Sequence, residues 1–355
     1  MSSMIKGNKI SVSVFGQSHS KAIGCVIDGL PAGVKLNNLS ISDFMARRAP
    51  GQNKYSTTRK EADESIVLSG LVDGTTCGAP LAIMIENTNT RSNDYSNLRD
   101  IPRPGHSDYS ASVKYNAFND IAGGGHFSGR LTAPLCYAGA VCMQILNSNG
   151  IEVKAHIRSV ADVNDDEFNP VDITSQNISE KAFPVINDSA GEKMKEKIEE
   201  ARLSADSVGG IIECAVTGVK AGYGDPMFDG IENILAKNIF GIPAVKGIEF
   251  GNGFDCTKLL GSQNNDEFII KDGEVKTSTN NHGGILGGIT TGMPIIFRVA
   301  VKPTASIGKP QKSVSLKTKT EEKLIVKGRH DPCIVPRAVP VVEAVAAITI
   351  LDIIL

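Results

Sequence analysis

The residues able to do chemistry in this chain gather in five glycine-punctuated segments. Gly16-Gln17-Ser18-His19-Ser20 is a turn between two apolar runs, with an imidazole at its apex. A surface turn whose histidine only caps the backbone is the plainer account. Arg47-Arg48-Ala49-Pro50-Gly51-Gln52 continues through Lys54 to Thr57, Thr58, Arg59 and Lys60. These cations and hydroxyls suit a phosphate or carboxylate clamp, although arginines at a helix C-terminus also satisfy the macrodipole. In Arg103-Pro104-Gly105-His106-Ser107-Asp108-Tyr109 the Pro and Gly let a guanidinium and an imidazole face one site, and Asp108 can orient the histidine or raise its pKa.

Gly123-Gly124-Gly125-His126-Phe127-Ser128-Gly129-Arg130 opens an apolar run near Leu131. Successive glycines allow backbone N–H groups to approach a ligand, and a helix N-terminus beyond them favours an anion. The pattern is neither a dinucleotide fingerprint nor a Walker loop, and tight packing is the alternative. The last group is Lys302-Pro303-Thr304-Ala305-Ser306, Gly328-Arg329-His330-Asp331-Pro332-Cys333 and Pro336-Arg337. Lysine with two hydroxyls suits phosphate, and Asp331 can be held as a proton acceptor. His330 and Cys333 lack the further ligands a zinc site needs, so no metal is expected.

These groups must be positioned by ordinary α/β elements. Residues 8–15 and 21–28 read as strands on either side of the first turn. Ser40 with Asp43 reads as a capping-box start of a helix stopped by Pro50 and Gly51. Residues 130–147 read as a buried helix with Pro134 in its first turn, and 151–157 as an alternating strand. Met194, Ile198 and Ala201 at helical spacing mark an exposed amphipathic helix over 190–204, followed by strands at 211–216 and 295–301. A C-terminal helix starting near Pro340 would bury Val341, Val345, Ile348 and Leu351. Glu343 and Asp352 interrupt its apolar run, so no charge-free stretch reaches the roughly 18 residues of a membrane span.

Composition narrows the class. The chain has 355 residues, 41% hydrophobic and 21% charged, with a formal net charge of −2, which disfavours a nucleic-acid or other polyanion binder. Its seven cysteines form no C-x-x-C pair, so buried thiols in a cytoplasmic protein are expected. Met1 to Gly7 lacks the apolar core of a signal peptide.

Several ordered segments together resemble chorismate synthase: GQSH (16–19), RRAPGQ (47–52), TTRKEADE (57–64), RSNDYS (91–96) and RPGHSDY (103–109). AVKGIEFGNGFD (244–255), GGILGGITTG (283–292), KPTASI (302–307) and GRHDPCIVPRAVPVVEA (328–344) continue the likeness. The resemblance implies an α+β fold, a single-domain β-α-β sandwich over residues 1–355, in a homotetramer. It implies conversion of 5-enolpyruvylshikimate 3-phosphate to chorismate and phosphate, a 1,4-elimination in the shikimate pathway of aromatic amino-acid biosynthesis that requires reduced FMN. In the family the reduced flavin transiently donates an electron, phosphate leaves, and the flavin N5 region takes the hydrogen.

Carried over residue by residue, His19 is the acid for the departing phosphate, His106 stays close to the flavin, and Asp331 relays a proton. Arg48, Arg103, Arg130, Arg329 and Arg337 bind the substrate's anionic groups. The flavin cradle corresponds to His126, Phe127, Ser128, Pro243, Ala244, Gly287, Lys302, Pro303, Thr304, Ala305, Ser306 and Arg329. Arg48 and Lys54 match positions associated with NADP. NADPH is expected only as an indirect reductant, acting through a separate flavin reductase. The chain departs from the family at Gln17 and Ser20. In the glycine motif Ala122, His126 and Leu131 replace two arginines and a glutamate. That rewriting predicts weaker flavin or substrate binding, or compensation by other residues. It keeps a second expectation open, a catalytically impaired relative that binds flavin or anions.

Overall fold

The computed structural model describes residues 3–51, 63–88, 98–173, 178, 181–326 and 330–355. The N-terminal part forms β1 (Met4–Lys6), β2 (Ser11–Gly16), β3 (Ala22–Asp28), β4 (Ser65–Ser69), the small hairpin β5 (Leu71–Val72) and β6 (Thr75–Thr76), and β7 (Leu81–Glu86). Five of these make an antiparallel sheet in the order β1-β2-β3-β7-β4. A second antiparallel sheet runs β11-β16-β10-β8-β9. Its strands are β8 (Glu152–Val160), β9 (Val163–Asn164), β10 (Gly210–Thr217), β11 (Val245–Phe250) and β16 (Ile295–Val301). Three separate hairpins follow: β12 (Phe268–Lys271) with β13 (Glu274–Thr277), β14 (Ile285–Leu286) with β15 (Ile289–Thr290), and β17 (Gln311–Val314) with β18 (Glu321–Leu324).

The helices are α1 (Asn38–Arg48), α2 (Asp108–Lys114), α3 (Thr132–Ser148), α4 (Asp188–Leu203), α5 (Ile231–Ile239), α6 (Gly261–Asn264) and α7 (Val335–Ile354). α3 packs on β3 of the first sheet, α7 on β8 and β10 of the second, and the two helices pack on each other. One apolar core therefore runs from Ile23 and Ile83 through Tyr137 and Val345 to Cys214 and Phe297. The result is an α+β arrangement with helices between two sheets. The approach of α3 to α7 needs Gly139, because a Cβ there would lie 2.2 Å from the Ala344 Cβ.

The two acids that break the C-terminal apolar run each have a dedicated place. Glu343 accepts from Arg47 (2.6 Å) and from the Ala155 backbone N–H (2.9 Å). Asp352 accepts from the N–H groups of Asn8, Lys9 and Ile10 at 2.6–3.0 Å, which ties the C-terminal helix to the start of the chain. Among the described residues no helix is long and apolar enough to cross a membrane.

Two helix starts differ from the sequence expectation. Asn37 caps α1, its Oδ1 accepting from the N–H groups of Leu39 and Ser40, so Ser40 sits inside the first turn instead of before it. α7 begins at Val335, five residues ahead of Pro340, with Pro336 in its first turn and Pro340 within the helix. Proline removes one N–H and crowds the carbonyl four residues back. Burial of Val335, Ala338 and Val339 on the core side offsets that cost. The helix over Met194, Ile198 and Ala201 forms as expected, with those residues buried, as does α3 with Pro134 in its first turn.

Candidate active site

A cleft of about 1020 Å³ opens where four pieces of chain converge: the end of α1, the segment 103–110, the glycine turn before α3, and the start of α7. The start of β11 and the residues after β16 close its other side. The glycine turn has a specific reason to be triple glycine. Gly123, Gly124 and Gly125 all have positive φ (61°, 86° and 54°), a region that side chains disfavour. A Cβ on Gly123 would lie 2.7 Å from His19 Nε2, and one on Gly125 would lie 2.2 Å from the Asp120 carbonyl oxygen. A Cβ on Gly124 would lie 3.4 Å from His106 Nε2. The bare turn is thus fitted between the two histidines, with the Ser18 N–H donating to the Gly125 carbonyl at 3.0 Å.

The arginines are buried and paired. Arg48 is 3% exposed; its Nη1 meets Asp63 Oδ2 at 2.6 Å, and its other nitrogens donate to Thr132 Oγ1 and the Gly129 carbonyl. Arg130 binds the other oxygen of Asp63 and donates through Nε to Asn87. Burial alone would raise the Asp63 pKa, but the Arg48 and Arg130 guanidinium groups hold it below the usual carboxylate range. Asp63 escaped the sequence reasoning although it lies within TTRKEADE. An acid among so many cations was the available signal. Arg47, next to Arg48, turns away from the cleft to Glu343, so the adjacent pair serves two different purposes.

Arg103 donates twice to Asp108 Oδ2, from its backbone N–H (3.0 Å) and from Nε (2.7 Å). Its Nη2 donates to Oδ1 (2.8 Å) and its Nη1 to Ser306 Oγ (3.0 Å). Asp108 Oδ1 also lies 2.6 Å from His106 Nδ1. Desolvation would push the Asp108 carboxyl up, yet hydrogen bonds from Arg103 and His106 hold it far below its ordinary value. Arg103 Nη2 also lies 3.1 Å from His106 Nδ1. The carboxylate at shorter range assigns the proton to Nδ1, leaving Nε2 towards Gly124. Arg337 joins Asp331 at 2.6 Å and donates to the Arg48 carbonyl.

His106, Asp331, Arg48, Arg103, Arg130, Arg337, His126, Phe127, Ser128, Pro243, Ala244 and Lys302 to Ser306 all line the cleft. His19 does not; it packs behind Gly123. His126 uses both ring nitrogens within the chain, on the Gly16 carbonyl (2.7 Å) and on Ser3 Oγ (2.5 Å). Ser128 Oγ accepts from the Arg130 N–H. Ala244 has φ of 73° although it carries a Cβ, a strain of about 1–3 kcal/mol of the kind that gathers at ligand sites. Gly287 lies at the turn of the β14–β15 hairpin with open space around it, and this chain does not bring it into the cleft. Lys54 and Arg329 lie outside the described residues. Among the described residues no cluster of three or more His, Cys, Asp or Glu could hold a metal.

Fold and cleft define an α+β enzyme built to hold a small, multiply anionic molecule beside histidines. The profile of the family described as Chorismate synthase matches residues 10–355. Chorismate synthase of Pyrococcus abyssi is 47% identical over 348 residues, covering 98% of this chain and 96% of that protein. The Lancefieldella parvula protein of the same name is 44% identical over 360 residues, with 98% and 94% covered. A crystal structure of chorismate synthase superposes with a TM-score of 0.76 at 26% identity, covering 98% of this chain and 92% of that one. The chain belongs to the chorismate synthase family.

Proposed function

We propose that this chain, as a lyase of aromatic amino-acid biosynthesis, takes 5-enolpyruvylshikimate 3-phosphate to chorismate and phosphate, with reduced FMN bound in the cleft. The observation that carries the proposal is the glycine turn seated between His19 Nε2 and His106 Nε2. The cleft residues fit FMN. The buried Thr304 Oγ1 has no partner among the described residues, and the Lys302 ammonium and the strained Ala244 backbone lie on the same wall. Reduced FMN, when bound, supplies a transient electron to the substrate.

The protein's own residues do the rest. Arg48, Arg130 and Arg337 are pre-oriented by Asp63 and Asp331, so their charge is presented without reorganisation when an anion arrives. Arg103 holds Asp108, and Asp108 fixes the proton of His106 on Nδ1, leaving Nε2 to exchange a proton at the cleft. To His19, whose Nε2 abuts Gly123, the family resemblance gives the protonation of the departing phosphate, and to Asp331, paired with Arg337, the uptake or return of a proton. Lys54 and Arg329 belong to the same reading as NADP-associated and anion-binding positions. We place the chain as one domain over residues 1–355 in a cytoplasmic homotetramer, which would seat Gly287 in the flavin site of a neighbouring subunit. NADPH serves only as an indirect reductant through a separate flavin reductase.

Anaerobic incubation with dithionite-reduced FMN and substrate, followed by chorismate absorbance, tests this directly. His106→Ala and His19→Ala should each lower turnover by about 10²–10⁴-fold, the usual worth of a positioned acid or base, with the fold intact by circular dichroism. No product from the folded wild type would sink the proposal, and wild-type turnover in either variant would remove that residue from the chemistry. The second reading, an impaired relative that binds flavin or anions, rests on Ala122, His126 and Leu131. His126 is committed to Ser3 and Gly16, and Leu131 is buried in the core.

A further inference from the structure

Asn87 is the first residue after β7 and is half-buried. Its backbone N–H donates to the Lys21 carbonyl at 3.1 Å, which carries the pairing of β3 with β7 one step further. Its side chain makes bonds that the sheet does not require. Nδ2 donates to the Gln17 carbonyl (3.1 Å) and to the Ser20 carbonyl (2.8 Å), on either side of His19 in its turn. Oδ1 accepts from Arg130 Nε at 3.1 Å. A guanidinium only donates and a backbone carbonyl only accepts, so these partners fix which end of the amide is which. One short side chain thus joins a turn 67–70 residues before it to an arginine 43 residues after it.

Both arms act on groups that an elimination needs. Arg130 Nη1 is held by Asp63, and the second bond, from Nε to Asn87, sets the plane of the guanidinium. The His19 turn is tied to the glycine turn by the Ser18 N–H on the Gly125 carbonyl, and Asn87 ties both of its flanks to the arginine. A departing phosphate calls for a cation and an acid together, and here they come from separate segments of chain. A misplacement of about 1 Å can cost about a hundredfold in rate. We propose that Asn87, which does not itself line the cleft, is a positioning residue for the elimination and holds the His19 turn in register with the Arg130 guanidinium. The inference rests on the roles of His19 and Arg130 proposed above.

The test is a mutant cycle in the full-length protein, assayed anaerobically with reduced FMN and substrate. Asn87→Ala should lower kcat by about ten- to a hundredfold and raise the substrate KM by about two- to tenfold, the scale of one hydrogen bond lost to Arg130. The double variant Asn87→Ala with His19→Ala should turn over within about twofold of His19→Ala alone, because no acid is left to position. Losses that multiply would give Asn87 a role independent of the histidine and overturn the proposal, as would wild-type kcat or an unchanged KM in Asn87→Ala. Asn87→Asp covers the case in which the alanine variant does not fold. It keeps the size of the side chain and the acceptor for Arg130, but sets an oxygen against the Gln17 and Ser20 carbonyls. Its kcat should fall as that of Asn87→Ala does, and wild-type turnover in this variant equally overturns the proposal. Wild-type turnover in His19→Ala, by contrast, sinks the reading of His19 and this inference with it.

Discussion

His106 and His156 both touch carboxylates, and only His106 faces a cleft. His106 Nδ1 lies 2.6 Å from Asp108, and its side chain keeps 19% of its surface exposed. His156 is wholly buried on the outer side of the second sheet, with Nδ1 3.1 Å from Asp165 Oδ2 and Nε2 2.9 Å from Glu213 Oε2. Phe168 packs edge-on against its ring at 4.6 Å. Each carboxylate around His156 is further satisfied by backbone: Asp165 by Ile186 and Asn187, Glu213 by Phe168. Both of its ring nitrogens are consumed, so no atom remains to exchange a proton with a substrate. A histidine–carboxylate contact is therefore no sign of catalysis by itself. What separates the two is whether one nitrogen is left facing a space that a ligand can enter.

The sharpest way to break this comparison is His156→Ala. It leaves Asp165 and Glu213 buried without their shared partner, and stability should fall by about 3–5 kcal/mol, read from chemical denaturation. Turnover per folded molecule should stay near wild type, the reverse of the pattern expected for His106→Ala. If His156→Ala instead kept its stability and lost turnover, the assignment of roles would be inverted.

A smaller effect follows from pH. Burial alone would lower the His156 pKa, but the hydrogen bonds its ring donates to Asp165 and Glu213, with the charges of both carboxylates, outweigh burial and raise it. A raised folded-state pKa contributes stability that is fully present below the unfolded value, about 6.5, and is lost as pH rises through the folded value. Asp165 has the opposite sign. Desolvation would raise its pKa, but hydrogen bonds from His156, Asn187 and Ile186 lower it, so its contribution is lost as pH falls below the usual range near 3.8. The stability gap between wild type and His156→Gln should therefore be widest in mildly acidic solution and narrow on the alkaline side. A gap that grew with rising pH would show that the buried ring is neutral.

Much of the cleft was legible in the sequence because its parts are local. Arg103, His106 and Asp108 fall within six residues, and proline and glycine between them fix the backbone; the triple glycine is visible as such. The His156 site was not legible, because its members come from β8, the segment after β9, and β10. In sequence they are an ordinary histidine, aspartate and glutamate, each in a stretch that reads as strand or loop. Asp63 was hidden for the same reason: its partners Arg48 and Arg130 lie 15 and 67 residues away. The start of α7 was misplaced because proline is a strong local stop signal and tertiary burial overrode it.

The smallest effect concerns His126, the residue that replaces an arginine in the family's glycine motif. Its Nδ1 contacts the Gly16 carbonyl, so Nδ1 carries the proton and Nε2 accepts from Ser3 in the neutral ring. The ring thereby joins the segment before β1, the end of β2 that leads into the His19 turn, and the glycine turn. Ser3→Ala removes one of these two bonds at a partly exposed site, so the stability cost should be about 0.5–1.5 kcal/mol. The turn carrying His19 remains held by Gly16 and by the Ser18–Gly125 bond. Turnover should therefore change by less than about threefold, since the acid keeps its place. A loss of turnover in Ser3→Ala as large as that of His19→Ala, with the fold intact, would mean that the N-terminal contact is needed to seat the histidine. His126 would then have taken over part of the work that the family gives to a charge.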